Sequence, residues 1–292
     1  MITSRVVAAA FVAVSIAGPA FAADLLKAPA APLAVPSWSG FYIGGEVGGK
    51  WVKDDWGTNC IQGGPSNFDL CPSNIFVGAP DSSATFNTSG LRAGVYLGAM
   101  TQIAPQWVLG IEGDYAFFKK SAEVNGIVGC STAACPGLAG LGIPFTTAFD
   151  RTSVTNRDDF SIRPRLGFLI TPDIMLYGTG GLAFQRVEAT MTCGTPPSAV
   201  PALSPACGAG ALTGGLLSQT DGTWRPGWTV GGGVELKLAS LGLPNWLLRG
   251  EYRYSDFGTW KPDFFRGSGV IEVFPNIKVT SQIATAGIAY KF

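Results

Sequence analysis

The residues best equipped for chemistry in this sequence are six cysteines: Cys60, Cys71, Cys130, Cys135, Cys193 and Cys207. A thiolate can attack a carbonyl, hold a metal or close a disulfide. The first use calls for a neighbouring base, most often histidine, and the chain contains no histidine. Ser-His-Asp and Cys-His arrangements are therefore absent, as are histidine-based metal sites. No cluster of closely spaced CxxC pairs supports a metal either. Disulfides remain. Six cysteines allow 15 pairings, and the simplest joins Cys60 to Cys71, Cys130 to Cys135 and Cys193 to Cys207, each within its own loop.

Carboxylate pairs are the next candidates. Asp54-Asp55 and Asp158-Asp159 are adjacent in the chain. Neighbouring strand residues point to opposite faces, so neither pair converges on a substrate, and both read as solvated rim charges. The glycine runs Gly44-Gly45-Glu46-Val47-Gly48-Gly49 and Gly231-Gly232-Gly233 lie inside strand-like segments with no helix after them. That context fails both nucleotide-binding fingerprints; the glycines fit bends and close approaches in a small curved barrel. The expectation is no catalytic, cofactor-binding or metal-binding residue and no enzyme. The formal net charge is zero, which points away from nucleic acid as a partner.

The elements that carry these residues are strands. The first 22 residues read as a secretory signal: Arg5 supplies the positive charge, Val6 to Ala17 the apolar core, and Ala20-Phe21-Ala22 the cleavage site. Export places the cysteines in an oxidising compartment. Residues 23–37 form an Ala/Pro-rich periplasmic lead-in. Charged residues make up only 14% of the chain, against about 25% in an average domain. Yet the long uncharged stretches are broken by Gly, Pro, Ser and Thr, so no mature helix qualifies as a span. A closed barrel is the other structure that can cross a bilayer.

Residues 38–292 alternate with a period of two in eight segments, about 38–52, 88–102, 107–120, 158–171, 174–189, 223–239, 246–260 and 277–292. Three connections are short: 103–106, 172–173 and 240–245. Four are long: about 53–87, 121–157, 190–222 and 261–276. Short turns on one side and long loops on the other fit an antiparallel up-and-down β-barrel of the outer membrane, with the long loops outside. Aromatic residues gather near both ends of the segments. Trp38, Phe41, Trp107, Trp246, Tyr290 and Phe292 are expected on the periplasmic girdle. Trp51, Phe117, Phe118, Phe160, Trp224, Trp228, Tyr254, Phe257 and Trp260 are expected on the outer one.

The face opposite the lipid carries the charges Glu46, Lys50, Arg92, Glu112, Asp114, Arg163, Arg165, Glu235, Lys237, Arg249, Glu251 and Arg253. Eight strands leave an interior about wide enough for side chains to fill it, so these residues are expected to pair across the lumen. Counting inward from the turns sets Glu112 opposite Arg165, Asp114 opposite Arg163, and Glu235 opposite Arg249.

Several short motifs add a resemblance. Trp38-Ser39-Gly40-Phe41-Tyr42-Ile43-Gly44-Gly45 resembles the opening of the alphaproteobacterial outer-membrane immunogenic proteins, a porin-like family of small barrels. Arg163-Pro164-Arg165-Leu166-Gly167, Leu176-Tyr177-Gly178-Thr179-Gly180-Gly181 and Glu251-Tyr252-Arg253-Tyr254 look like its later strands. Ala289-Tyr290-Lys291-Phe292 is similar to the aromatic C-terminal signal read by the outer-membrane assembly machinery, with Tyr290 and Phe292 as its aromatic positions. The long loops depart from the family in their length and their cysteines. The resemblance implies a surface-exposed envelope protein whose partners are outer-membrane lipids and the assembly machinery. A narrow porin for small solutes is the alternative.

Overall fold

The computed structural model describes residues 37–63, 68–69, 83–126, 128, 151–193, 217–265 and 271–292. The signal segment and nearly all of the lead-in lie outside these residues, as do Cys71, Cys130, Cys135, Cys207 and the side chains of Cys60 and Cys193. The cysteine pairing therefore falls outside the described residues.

In chain order the strands are β1 (Gly40–Gly63), β2 (Phe68–Asp69), β3 (Ser83–Ala104), β4 (Trp107–Phe117), β5 (Lys120–Asn125), β6 (Arg151–Thr171), β7 (Ile174–Cys193), β8 (Leu217–Leu238), β9 (Leu243–Trp260) and β10 (Ile271–Lys291). Each pairs antiparallel with its neighbour in the order β10-β9-β8-β7-β6-β4-β3-β1, and β1 pairs with β10 to close the ring. β5 continues the line of β4 along β6, and β2 is a short appendage on the end of β1. The wall is thus an eight-stranded barrel. Short connections at Pro105-Gln106, Pro172-Asp173 and Ala239–Gly242 occupy one end. Gly242 has φ +79° at the last of these, a left-handed conformation that glycine adopts without steric penalty.

The strands are longer than the sequence pattern suggests. β1 has 24 residues and β3 has 22, about twice the ~9–11 that a tilted spanning strand needs. Cys60 and Cys193 consequently belong to the backbone ladders of β1 and β7, paired with Phe274 and Leu217, and not to loops. The long connections shrink to residues 64–82, 126–150, 194–216 and 261–270.

The extra length forms a second tier with inverted polarity. In the lower tier Phe41, Val47, Leu91, Leu97, Ile111, Ile162 and Leu182 point outward and are exposed, as lipid-facing residues should. The exposed apolar band runs up to the aromatic level of Trp51 on β1, Phe117 on β4 and Phe160 on β6, the residue type that favours a membrane interface. Above it the outer face turns polar. Lys53, Thr85 and Asn87 are exposed there, and hydroxyls bond across strands, Thr190 to Thr220 at 2.8 Å and Thr192 to Ser218 at 3.0 Å. The upper interior is apolar instead: Val52, Trp56, Phe86, Phe118, Val154, Val187, Phe257, Trp260, Phe264 and Val279 make one buried cluster. A barrel in water buries apolar side chains inside; a barrel in lipid shows them outside. This chain stacks the first arrangement on the second.

That inversion corrects the aromatic girdles. Phe118, Phe257 and Trp260 were expected on the outer girdle but point inward, with 3%, 2% and 6% exposure. Phe118 and Phe257 follow ordinary alternation into the upper core. Trp260 is turned in by a bulge in β9, where the register with β10 shifts and Gly258 takes φ +67°. Trp38 is not on the periplasmic girdle either. It is fully buried in the floor, where its Nε1 donates to Pro172 O at 3.0 Å.

Candidate functional site: a closed charge network

Between the floor and the upper core lies a layer of charged side chains, placed there by alternation on six of the eight wall strands. Glu46 and Lys50 come from β1, Arg92 from β3, Glu112 and Asp114 from β4, Asp159, Arg163 and Arg165 from β6, Glu235 from β8, and Arg249, Glu251 and Arg253 from β9. All of these side chains are at most 8% exposed.

Three carboxylates act as hubs. Glu112 meets Arg163 Nη2 at 2.8 Å, Arg165 Nη1 at 3.1 Å and Arg249 Nη1 at 2.7 Å, and it accepts the Tyr42 hydroxyl at 2.7 Å. Asp114 meets Arg92 at 2.6 Å, Arg253 at 2.8 Å and Arg163 at 3.2 Å, and it also accepts the Ser161 hydroxyl. Glu46 joins Arg92 to Arg249, the latter at 2.6 Å. At the edges Arg163 binds Glu251 at 2.8 Å, Arg165 binds Glu235, and Lys50 binds Asp159 at 2.6 Å. Tyr177 donates to Glu251 at 2.7 Å. The Arg249 and Arg165 guanidinium carbons lie 3.4 Å and 3.9 Å from the ring centroids of Tyr96 and Tyr177. Charge-assisted, multidentate contacts of this kind are the strong ones.

Glycines make room for these long side chains. A Cβ on Gly98 would sit 2.5 Å from Tyr42 Cζ, and one on Gly44 would sit 2.5 Å from Tyr96 Cζ. The glycines of the early strands therefore serve the network by steric clearance as well as serving wall curvature.

Eleven of the twelve charges picked out by alternation fall in this layer; Lys237 does not. It sits lower, its Nζ 4.5 Å from the Trp38 ring centroid and 3.4 Å from Pro172 O. The expected register also shifts by two residues. Glu112 lies opposite Arg163, and Asp114 opposite Ser161. The contacts Glu112–Arg165 and Asp114–Arg163 exist nonetheless, made diagonally by long side chains. Glu235 does lie opposite Arg249, but its contact is with Arg165.

Asp159 is not a solvated rim charge but a buried member of the network, bound to Lys50 and Arg92. Ordinary alternation is the reason, since Asp159 shares the inward phase of Ser161, Arg163 and Arg165; a bulge at residues 157–158, where the pairing with β7 slips, then turns Asn156 inward as well. Asp158 keeps the outer face, where it accepts the Tyr115 hydroxyl at 3.0 Å. Asp54 and Asp55 also diverge. Asp54 is fully buried inside, whereas Asp55 pairs with Lys53 at 2.8 Å on the outer face. Tyr42, Tyr96 and Tyr177 were not singled out as lumen residues, although Tyr42 shares the alternation phase of Glu46 and Lys50. At the lower rim the Phe292 amide donates to Phe41 O at 2.9 Å, and its ring packs edge-on against Tyr290 at 5.2 Å.

Such an interior can fill and stiffen a barrel. Its carboxylates are saturated by arginines and tyrosines, which leaves them poorly suited to proton transfer. The 31 kDa outer-membrane immunogenic protein of Brucella melitensis is 29% identical, over 97% of this chain and 98% of its own length. The 25 kDa outer-membrane immunogenic protein of Brucella abortus is 27% identical, over 94% of this chain and 91% of its own length. Among solved structures, the outer membrane protein OprG from Pseudomonas aeruginosa aligns over 87% of this chain and 96% of its own, at 14% identity and a TM-score of 0.48. The sequence pattern of the outer membrane protein beta-barrel domain matches residues 12–292. This chain belongs to the outer membrane protein beta-barrel domain family and is a protein of the outer membrane.

Proposed function

We propose that the protein is a sealed, non-enzymatic envelope component: a barrel that anchors in the outer membrane and carries an extracellular tier with its loops to the surface. The observation behind this reading is the network in which Glu46, Glu112 and Asp114 are each held by two or more arginines, with every member buried. An open pore needs water and mobile charge at its constriction; here the constriction is occupied by mutually neutralised side chains above an aromatic floor and below an apolar core. The absence of histidine and the saturation of the lumen carboxylates support the non-enzymatic part. Its partners are the lipids around the apolar band and, during biogenesis, the assembly machinery reading Tyr290 and Phe292. The test is electrical. In a planar bilayer the sealed reading expects no steady conductance, and stable channel openings would establish a narrow porin instead.

A further inference from the structure

The network balances. Lys50, Arg92, Arg163, Arg165, Arg249 and Arg253 face Glu46, Glu112, Asp114, Asp159, Glu235 and Glu251 in the ion pairs above, six charges of each sign. Among the described residues, one buried carboxyl is left over. Asp54 lies on β1 three residues past Trp51, in the extracellular tier, with no exposure to solvent. Its cross-strand partners are Phe86 on β3 and Val279 on β10, and Val52 and Trp56 flank it on the same face of β1. All four are buried in the apolar cluster. Asp54 Oδ2 accepts from Asn156 Nδ2 at 2.6 Å, whereas Oδ1 has no hydrogen-bond partner among the described residues. Asn156 in turn accepts from Gln185 Nε2 at 2.7 Å, and Gln185 Oε1 is likewise without a partner.

The surrounding charges do not supply a cation. Lys50, the basic residue that faces Asp54 from β1, is committed to Asp159 of β6 at 2.6 Å. Arg92 of β3 and Arg253 of β9 are held by Asp114. From β7 the facing group is the amide of Gln185, and from β10 the hydroxyl of Ser281, so neither strand brings a charge to it. Asp55 adds a negative charge from the outer face. An isolated carboxylate in apolar surroundings is costly enough that such groups neutralise instead.

We propose that Asp54 is a proton-binding site, carrying a proton in the folded protein near neutral pH, and that its ionisation loosens the extracellular tier. Burial pushes its carboxyl up to about 7, against the pull of the Asn156 hydrogen bond and of Lys50. The sign follows from linkage. The folded state holds this proton more tightly than the unfolded chain, so the stabilisation is complete below the ordinary carboxylate range and is lost as pH rises through about 7. The protein would thereby couple external alkalinity to the packing of its exposed half.

The experiment compares wild type with Asp54→Asn, an isosteric mimic of the neutral acid, both refolded in detergent micelles. Infrared difference spectra between the two at about pH 6 should show the carbonyl band of a protonated carboxylic acid, present in wild type and missing in the variant. Thermal unfolding should drop by a few degrees between about pH 6 and pH 8.5 in wild type, and this drop should be missing from the profile of Asp54→Asn. No protonated-acid band, or the same pH profile in both proteins, overturns the proposal. If the variant fails to refold, wild type alone decides: a protonated carboxyl band that disappears on titration through neutral pH supports the site, and its absence at pH 6 rejects it.

Discussion

Arg92 Nη2 lies 2.6 Å from Asp114 Oδ2, and neither side chain is exposed. The same guanidinium also contacts Glu46 and Asp159, so one arginine on β3 draws carboxylates from β1, β4 and β6 to a single point. Removing it leaves the six buried carboxylates of the network facing five cations, although Glu46, Asp114 and Asp159 each keep another partner in Arg249, Arg253 and Lys50; removing a surface partner leaves no buried charge uncompensated. Arg92→Met is expected to destabilise the refolded barrel by about 3–5 kcal/mol, the range for breaking a buried pair by deleting one partner. Urea unfolding in micelles measures this directly. A loss no larger than that of an exposed control such as Lys53→Met would show that the network does not hold the wall together.

The two-tier wall makes opposite demands on one substitution. Leu97 on β3 is 62% exposed in the lipid band, and Asn87 lies on the same outer face of the same strand, above the band. Leu97→Arg should cost about 2–4 kcal/mol, the penalty for a charge on the lipid face near the midplane. Asn87→Arg should be close to neutral. Refolding into vesicles with denaturant titration separates them; equal penalties would place both residues in the same environment.

The cysteines are expected to form three links: Cys60 with Cys71, Cys130 with Cys135, and Cys193 with Cys207. Cys60 and Cys193 sit at the ends of the β1 and β7 ladders, where a link to the following loop would stop fraying. Each contributes on the order of 2–4 kcal/mol, with the shortest loop lowest. Non-reducing peptide mapping should recover the three local pairs, and a link between different loops would refute the pairing.

Phe292 is 74% exposed, so its side chain adds little to the finished barrel, while its backbone closes β10 against Phe41. Phe292→Ala should therefore lower outer-membrane levels in cells several-fold and leave the refolding yield in detergent nearly unchanged. Normal levels in cells would count against an assembly role.

Alternation made much of this legible in advance. The phase of Glu46 and Lys50, of Glu112 and Asp114, and of Arg249, Glu251 and Arg253 can be read from a period of two alone, because a strand has only two faces. Three kinds of feature were not legible. Bulges at residues 157–158 and at Gly258 reverse the phase, which turns Asn156 inward and misplaces Trp260; Asp159, by contrast, keeps the phase of Arg163 and Arg165. Phase also does not say which side is wet. Phe118 and Phe257 share an alternation pattern with lumen positions, but where the barrel rises out of the bilayer the inner face becomes the apolar one. The side chains gave a sign of this in the polar outward residues Lys53, Asp55 and Asn87, which follow the Trp51 level within a few positions. Register across a long loop was the third gap, since a two-residue slip between β4 and β6 leaves every side chain on its proper face.

The claim that the lumen is sealed is tested most directly by recording single channels from wild-type protein and Arg92→Met in planar bilayers at both polarities. The account predicts a silent wild type and irregular leak currents from the variant, because loss of Arg92 leaves one carboxylate charge in the lumen uncompensated and opens space for water beside it. Stable, uniform openings from the wild-type protein would contradict it and make the barrel a pore.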